Sequence, residues 1–226
     1  MQQVKKEQPI WDSFVRGYHW FQLICISGLC YTGENGLMDW HFSIAYLFMA
    51  LFITRLIWGV IGSNTAQFHH FVKSPQTAFH YLKSTLLGKK EEEPIGHNPA
   101  GAYMVVAMFL IIATQFITGL FADDSIFTVG PLAHLVSGDL SASLTEIHHL
   151  NFKILLTLIA VHVLTIFVYL FVKKINLITP MITGYKQVEK VAGVKLKRGL
   201  IAWIIFLVVA VLVYFELAFE VVPYLF

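Results

Sequence analysis

IHHLNFKILLTLIAVHV, residues 147–163, decides the fold. Downstream of Lys153 no Asp, Glu, Lys or Arg occurs until Lys173, and an apolar run of roughly 20 residues is what a helix needs to cross a hydrocarbon core about 30 Å thick. A histidine inside such a run is costly in hydrocarbon and needs a partner or a purpose. His148 and His162 are fourteen residues apart, a spacing that returns an α-helix to within about 40° of the same face and advances it about 21 Å. One helix therefore presents two imidazoles to one side at two depths. His149 falls about 140° from His162 and reads as an interfacial or supporting residue.

The remainder of the chain suits the same solvent. Of 226 residues, 57% are hydrophobic and 13% charged, with 19 Phe and 5 Trp, a composition that excludes an ordinary soluble domain. Apolar stretches place five spans near 11–32, 38–62, 100–121, 147–172 and 199–222. The first carries Arg16 and His19 within the apolar run and no small-residue cleavage site follows, so it reads as a retained span and not a signal peptide. Lys and Arg divide one-sidedly. Lys5, Lys6 and Arg16, the 63–99 segment with Lys73, Lys83, Lys89 and Lys90, and the 173–198 segment with seven Lys or Arg should be cytoplasmic. Loops 33–37 and 122–146 hold no Lys or Arg but do hold Glu34, Asp123, Asp124, Asp139 and Glu146, so they should face outward with the C-terminus. A bacterial inner membrane is the expected location.

Ser74-Pro75 reads as an N-cap followed by proline at the first helical position, opening a helix that lies on the inner surface. The KKEEEP run, the Gly96-His97-Asn98-Pro99 turn and residues 186–198 read as solvated connections, and no internal repeat is evident. Cys25 and Cys30 sit five residues, or about 140°, apart and cannot pair within one helix. No C-x-x-C-H occurs, which excludes covalent c-type haem attachment by the usual motif.

Depth selects partners for the two histidines. Counted from the cytoplasmic ends of their spans, His19 lies about 13 Å in and His162 about 16 Å in, while His41 and His148 both start outward-facing ends. Two pairs result, His19 with His162 and His41 with His148. Opposed neutral imidazoles suit a haem iron whose equatorial positions the porphyrin fills, whereas two histidines alone do not complete a zinc site. With both axial positions taken, electron transfer is favoured over oxygen chemistry.

Here the sequence resembles the prokaryotic cytochrome b561 family, related to the b-type cytochrome subunits of nickel-iron hydrogenases. The matching pieces are WDSFVRGYHW (11–20), DWHFSIAY (39–46), RLIWGVIGS (55–63), FVKSP (71–75), GHNPAGAYM (96–104), GLFADDSIF with GPLAHLVS (119–137), IHHLNFKILLTLIAVHV (147–163) and PMITG (180–184). The resemblance implies an all-α membrane protein, a four-helix transmembrane bundle over residues 1–185 holding two b haems; the linker and fifth transmembrane helix that the apolar pattern places over 186–226 lie beyond the family's usual core. It puts the iron ligands at His19, His41, His148 and His162. It further implies electron exchange between membrane quinone and another redox protein, such as a periplasmic c-type cytochrome.

Lys153 stands where relatives commonly have a smaller polar residue; it either snorkels to the outer headgroups or pairs with a haem propionate. Arg16 could hold an inner-haem propionate. Quinone candidates are His134, Asp123 and Asp124 at the outer end, or Arg16 and Arg55 at the inner. Glu216 and Glu220, at i, i+4 near the outer end of the fifth span, read as an interfacial pair. Competing readings are the membrane anchor of a larger oxidoreductase such as a hydrogenase, separable by co-purification; a superoxide:quinone oxidoreductase, separable by stopped-flow; and a histidine-relay transporter, which would lack a Soret band.

Overall fold

The chain starts with a short strand, β1 (Lys6–Pro9), and enters helix α1 (Ser13–Glu34) where the Asp12 carboxylate accepts from the Val15 amide at 2.9 Å. Gly36, at φ 68°, turns the chain straight back into α2 (Met38–Ile61); a side chain at that backbone angle would be strained. A four-residue α3 (Phe68–Phe71) leads to α4 (Pro75–Leu86), which begins as its sequence announces: the Ser74 hydroxyl accepts from the Thr77 amide and Pro75 occupies the first turn. Then come α5 (Pro99–Leu120), capped by Asn98, a 3-10 turn at Ala133–Leu135, α6 (Gly138–Phe171), α7 (Ile178–Thr183), strand β2 (Tyr185–Val188) and α8 (Gly199–Leu217). This computed structural model describes residues 6–88, 95–126, 128–188, 191 and 193–217. The 89–94 run and Glu220 lie outside the described residues.

Among the described residues four helices, α2, α5, α6 and α8, are long and apolar enough to cross a membrane. The 22-residue α1 matches them in length, but Arg16, His19 and Gln22 make its first half more polar. Helix α6 is 34 residues long, about 50 Å at 1.5 Å per residue, so it overshoots a bilayer. Sequence hydropathy starts that span at 147, yet the helix begins nine residues earlier, where Ser137 caps it and Ser141 donates to the Phe121 carbonyl at 2.6 Å.

The helices form two groups. Helices α1, α2 and α8 pack on one another, and α5 packs on α6 with α4 alongside; between the groups the backbones approach closely at few points. Large rings fill the middle of that space: Phe48 against Phe116 at 5.2 Å, Phe52 against Phe109 at 5.4 Å, and Tyr18 against Phe109 at 6.2 Å between ring centres. In lipid such contacts stabilise through close packing, because hydrocarbon solvates an apolar chain as readily as a neighbouring helix does.

Two devices close the end of the molecule that carries most of the lysines, called here the basic end. The buried Asp12 carboxylate also accepts from Trp58 Nε1 at 3.0 Å and Ser63 Oγ at 2.6 Å, tying the start of α1 to the end of α2. Ser63 Oγ accepts in turn from the Lys197 amide at 2.9 Å, which brings the start of α8 to the same knot. Strands β1 and β2 pair antiparallel from Lys6 with Val188 to Pro9 with Tyr185, and the ribbon is prolonged where the Gly184 carbonyl accepts from the Ile10 and Trp11 amides. Gly184 has φ 91°, and a Cβ there would stand 2.8 Å from the Trp11 carbonyl oxygen, so PMITG ends in glycine for a steric reason. The ribbon corrects the linker reading of residues 186–188: Lys186, Gln187 and Val188 are too few to carry a strand signal, and their pairing is set by α7 delivering them beside β1. The opposite, acidic end comprises the 35–37 turn and the 121–137 segment.

Candidate functional site

The histidine selected by depth on α1 meets the one selected on α6. The rings of His19 and His162 lie 6.4 Å apart centre to centre, inclined at 56°. His19 Nδ1 is buried and without a hydrogen-bond partner among the described residues, an expensive condition for an imidazole unless something else completes it. Nitrogens from two imidazoles that shared one metal at about 2 Å each would set the ring centres roughly 6 Å apart.

The second pair lies at the acidic end, where His41 and His148 are within electrostatic reach of each other. Both rings are held alike. His41 Nδ1 stands 3.1 Å from the Leu29 carbonyl and 3.2 Å from Thr32 Oγ1, both on α1; His148 Nδ1 stands 3.1 Å from the Gln115 carbonyl and 3.1 Å from Thr118 Oγ1, both on α5. A carbonyl can be satisfied only by N–H, so Nδ1 carries the proton in each ring and Nε2 is left with its lone pair, the form a metal requires. Asn151 donates to Gln115 Oε1 at 2.6 Å, which orients the Gln115 amide so that its Nε2 donates to the His148 Nε2 lone pair at 3.0 Å, a bond that a metal at that nitrogen would replace.

Glycine completes each seat. A Cβ on Gly119 would stand 2.8 Å from His148 Cε1, and one on Gly33 would stand 3.4 Å from His41 Cε1. The pairs Thr32-Gly33 and Thr118-Gly119 thus perform one task on two helices, and α1–α2 and α5–α6 are two versions of a helix pair in which a Thr-Gly step cradles the next helix's histidine. Sequence reading missed this repeat and these four residues. The signal was present as LCYTG (29–33) and QFITG (115–119), each preceding its histidine by a variable loop that hides the correspondence.

The other candidates separate by environment. Arg16 Nη1 donates to the Ile182 carbonyl at 2.6 Å, bracing α7, while its Nε is buried and without a partner among the described residues. Lys153 is exposed on α6, five residues or about 140° from His148. His149 is exposed, its ring 6.2 Å from that of His148. His134 is exposed on its 3-10 turn, and the aspartates shape the loop: Asp123 accepts from the Ser125 amide at 2.7 Å and Asp124 from the Ile126 and Thr128 amides at 2.9 and 2.8 Å. Glu216 is exposed on the last turn of α8, and both cysteines are free. Among the described residues no group of three or more His, Cys, Asp or Glu could hold a metal ion, so paired imidazoles flanking a flat ligand with its own donors are the arrangement these side chains fit.

Outside the spans, His97 lies between Trp11 and Phe71, each 4.8 Å away ring to ring, with Nδ1 buried and without a partner among the described residues, which corrects the solvated reading of its turn: the ring is held by aromatic packing. Burial, reinforced by the Arg55 charge, pushes its pKa down to about 3, so it is neutral at physiological pH.

Comparison with curated proteins and with solved structures gives no match. A comparison with protein families matches the model described as prokaryotic cytochrome b561 over residues 10–184, a stretch that includes all four paired histidines. The chain therefore belongs to the prokaryotic cytochrome b561 family, multi-pass membrane proteins that carry b-type haem and transfer electrons.

Proposed function

We propose that this chain is a two-haem electron-transfer cytochrome of the bacterial inner membrane, exchanging electrons between membrane quinone and a periplasmic redox partner, such as a c-type cytochrome. The observation that carries the reading is the placement of two imidazole pairs at two levels of one inter-helical space. Two b haems, bound non-covalently, would supply one-electron iron centres. His19 and His162 would hold one at the basic end; His41 and His148 would hold the other at the acidic end. The Leu29 and Gln115 carbonyls fix the outer tautomers, and the surrounding Phe and Leu side chains exclude water. Arg16 and Lys153 are proposed as propionate contacts, with Lys153 reaching along the outer surface of α6.

The N-terminus and basic end face the cytoplasm, as the lysine distribution requires, and α4 lies on that surface with Phe79 and Leu82 directed to lipid. The acidic end then faces the periplasm, where its carboxylates attract a basic partner protein. A groove of about 470 Å³ lined by Phe68, His69, Val72, Val106, Phe109 and Leu110 is apolar apart from His69 and suits a prenylated quinone ring.

A pyridine-haemochrome assay tests the central claim. The wild-type chain should carry two haems, and His19→Ala and His41→Ala should each fall towards one. Unchanged content in both variants would remove the bis-histidine assignment.

A further inference from the structure

RLIWGVIGS (55–63) is accounted for by packing at every polar or small position except its first. Trp58 and Ser63 bind Asp12; a Cβ on Gly59 would run into the Phe68 ring and one on Gly62 into the Trp58 carbonyl. Arg55 is different. Its side chain is 3% exposed, and its guanidinium sits against the rings of Tyr18, Phe68 and Phe109 at 5.9, 5.5 and 5.5 Å. Among the described residues it makes a single long hydrogen bond, 3.4 Å to the Ala66 carbonyl, and no ion pair.

Asp12 is the carboxylate whose charge Arg55 feels, but Asp12 already accepts from Val15, Trp58 and Ser63. A buried guanidinium with most of its five donors unused is costly; ring faces offset part of that cost, and an anion offsets more. Two further unpartnered polar atoms lie nearby: the Tyr18 hydroxyl, on the residue preceding His19, and His97 Nδ1, within electrostatic reach of Arg55, His19 and His162. Depth agrees. Arg55 follows His41 by fourteen residues, as His162 follows His148, so it stands about 21 Å further along the shared space, level with the inner pair.

We infer that Arg55, with the Tyr18 hydroxyl beside it, is the seat for a carboxylate of the group held between His19 and His162, an inner-haem propionate; this rests on the two-haem reading above. Phe68 and Phe109 screen Arg55 from the apolar groove, which favours this anion over quinone.

The test uses the full-length chain carrying His41→Ala, where that reading leaves the inner site alone, titrated with haem b and with haem dimethyl ester, whose propionates carry no charge. Haem b should bind about thirtyfold or more tightly than the ester, the scale of a buried charge pair. Arg55→Met should lose most of this preference, keeping only the share that Arg16 contributes at the second propionate, and Arg55→Lys should recover part of the loss. A redox titration should show a shifted midpoint for the inner haem in Arg55→Lys. Equal affinity for haem and ester with Arg55 in place overturns the proposal, as does an Arg55→Met variant that weakens both by the same factor. If Arg55→Met fails to accumulate, the ester comparison in the Arg55 and Arg55→Lys chains still decides. Failure of the underlying reading looks different: His19→Ala would retain its full haem content.

Discussion

At the scale of single residues, the histidines announce themselves because hydrocarbon penalises them, while the residues that aim them do not. Thr and Gly are common in membrane helices, so the steps at 32–33 and 118–119 carry no alarm until the rings they cradle are seen. The two glycines differ in tightness, which gives a graded expectation. Gly119→Ala must displace the His148 ring and should cost about 1–3 kcal/mol together with much of the outer haem, whereas Gly33→Ala, at ordinary contact distance, should cost under about 1 kcal/mol and keep it. Haem per chain and thermal denaturation in detergent check both. His97 offers a pH test. Its folded pKa, near 3, lies below the ordinary value of 6.5, so the unfolded chain binds a proton that the folded chain refuses. The stability involved is complete above pH 6.5 and declines as pH falls from there towards 3. His97→Leu should flatten the melting temperature over that range.

At the scale of elements, sequence places the spans well where hydropathy and caps agree. Ser74-Pro75 marks α4, and hydropathy alone puts the start of α5 one residue late, because Asn98-Pro99, read as turn, is its cap and first residue. It fails where an element is justified by a distant neighbour. The first turns of α6 are polar and owe their order to Ser137 and to contacts with the 121–123 segment, and the β1–β2 ribbon exists because α7 returns the chain to its own beginning. Asp12 is the clearest long-range device, invisible as such in WDSFVRG. Asp12→Ala removes the α1 cap, worth about 1 kcal/mol, and leaves the Trp58 and Ser63 donors buried without an acceptor, so the loss should reach about 2–4 kcal/mol. A double-mutant cycle with Trp58→Phe, read by thermal denaturation, should give a combined loss smaller than the sum.

At the scale of the molecule, lysine asymmetry predicts which end meets the cytoplasm, and site-directed labelling tests it directly. In a chain with Cys25 and Cys30 replaced by alanine, a cysteine at Ala142, exposed at the acidic end, should react with an impermeant maleimide in intact spheroplasts. One at Gln76, exposed on α4, should react only after permeabilisation. Sequence reading draws attention to the membrane histidines but not to the division into two helix groups, because large aromatic residues look alike whether they fill a core or face lipid. The fifth long helix also has a temporal meaning. Trp203 of α8 covers Gly17 and touches Phe14 and Phe21, on either side of His19. Helix α1 thus receives its cover from a helix made only after α2, α5 and α6, so in the nascent chain that flank stays ajar while the intervening helices emerge, and a prosthetic group has that interval in which to enter.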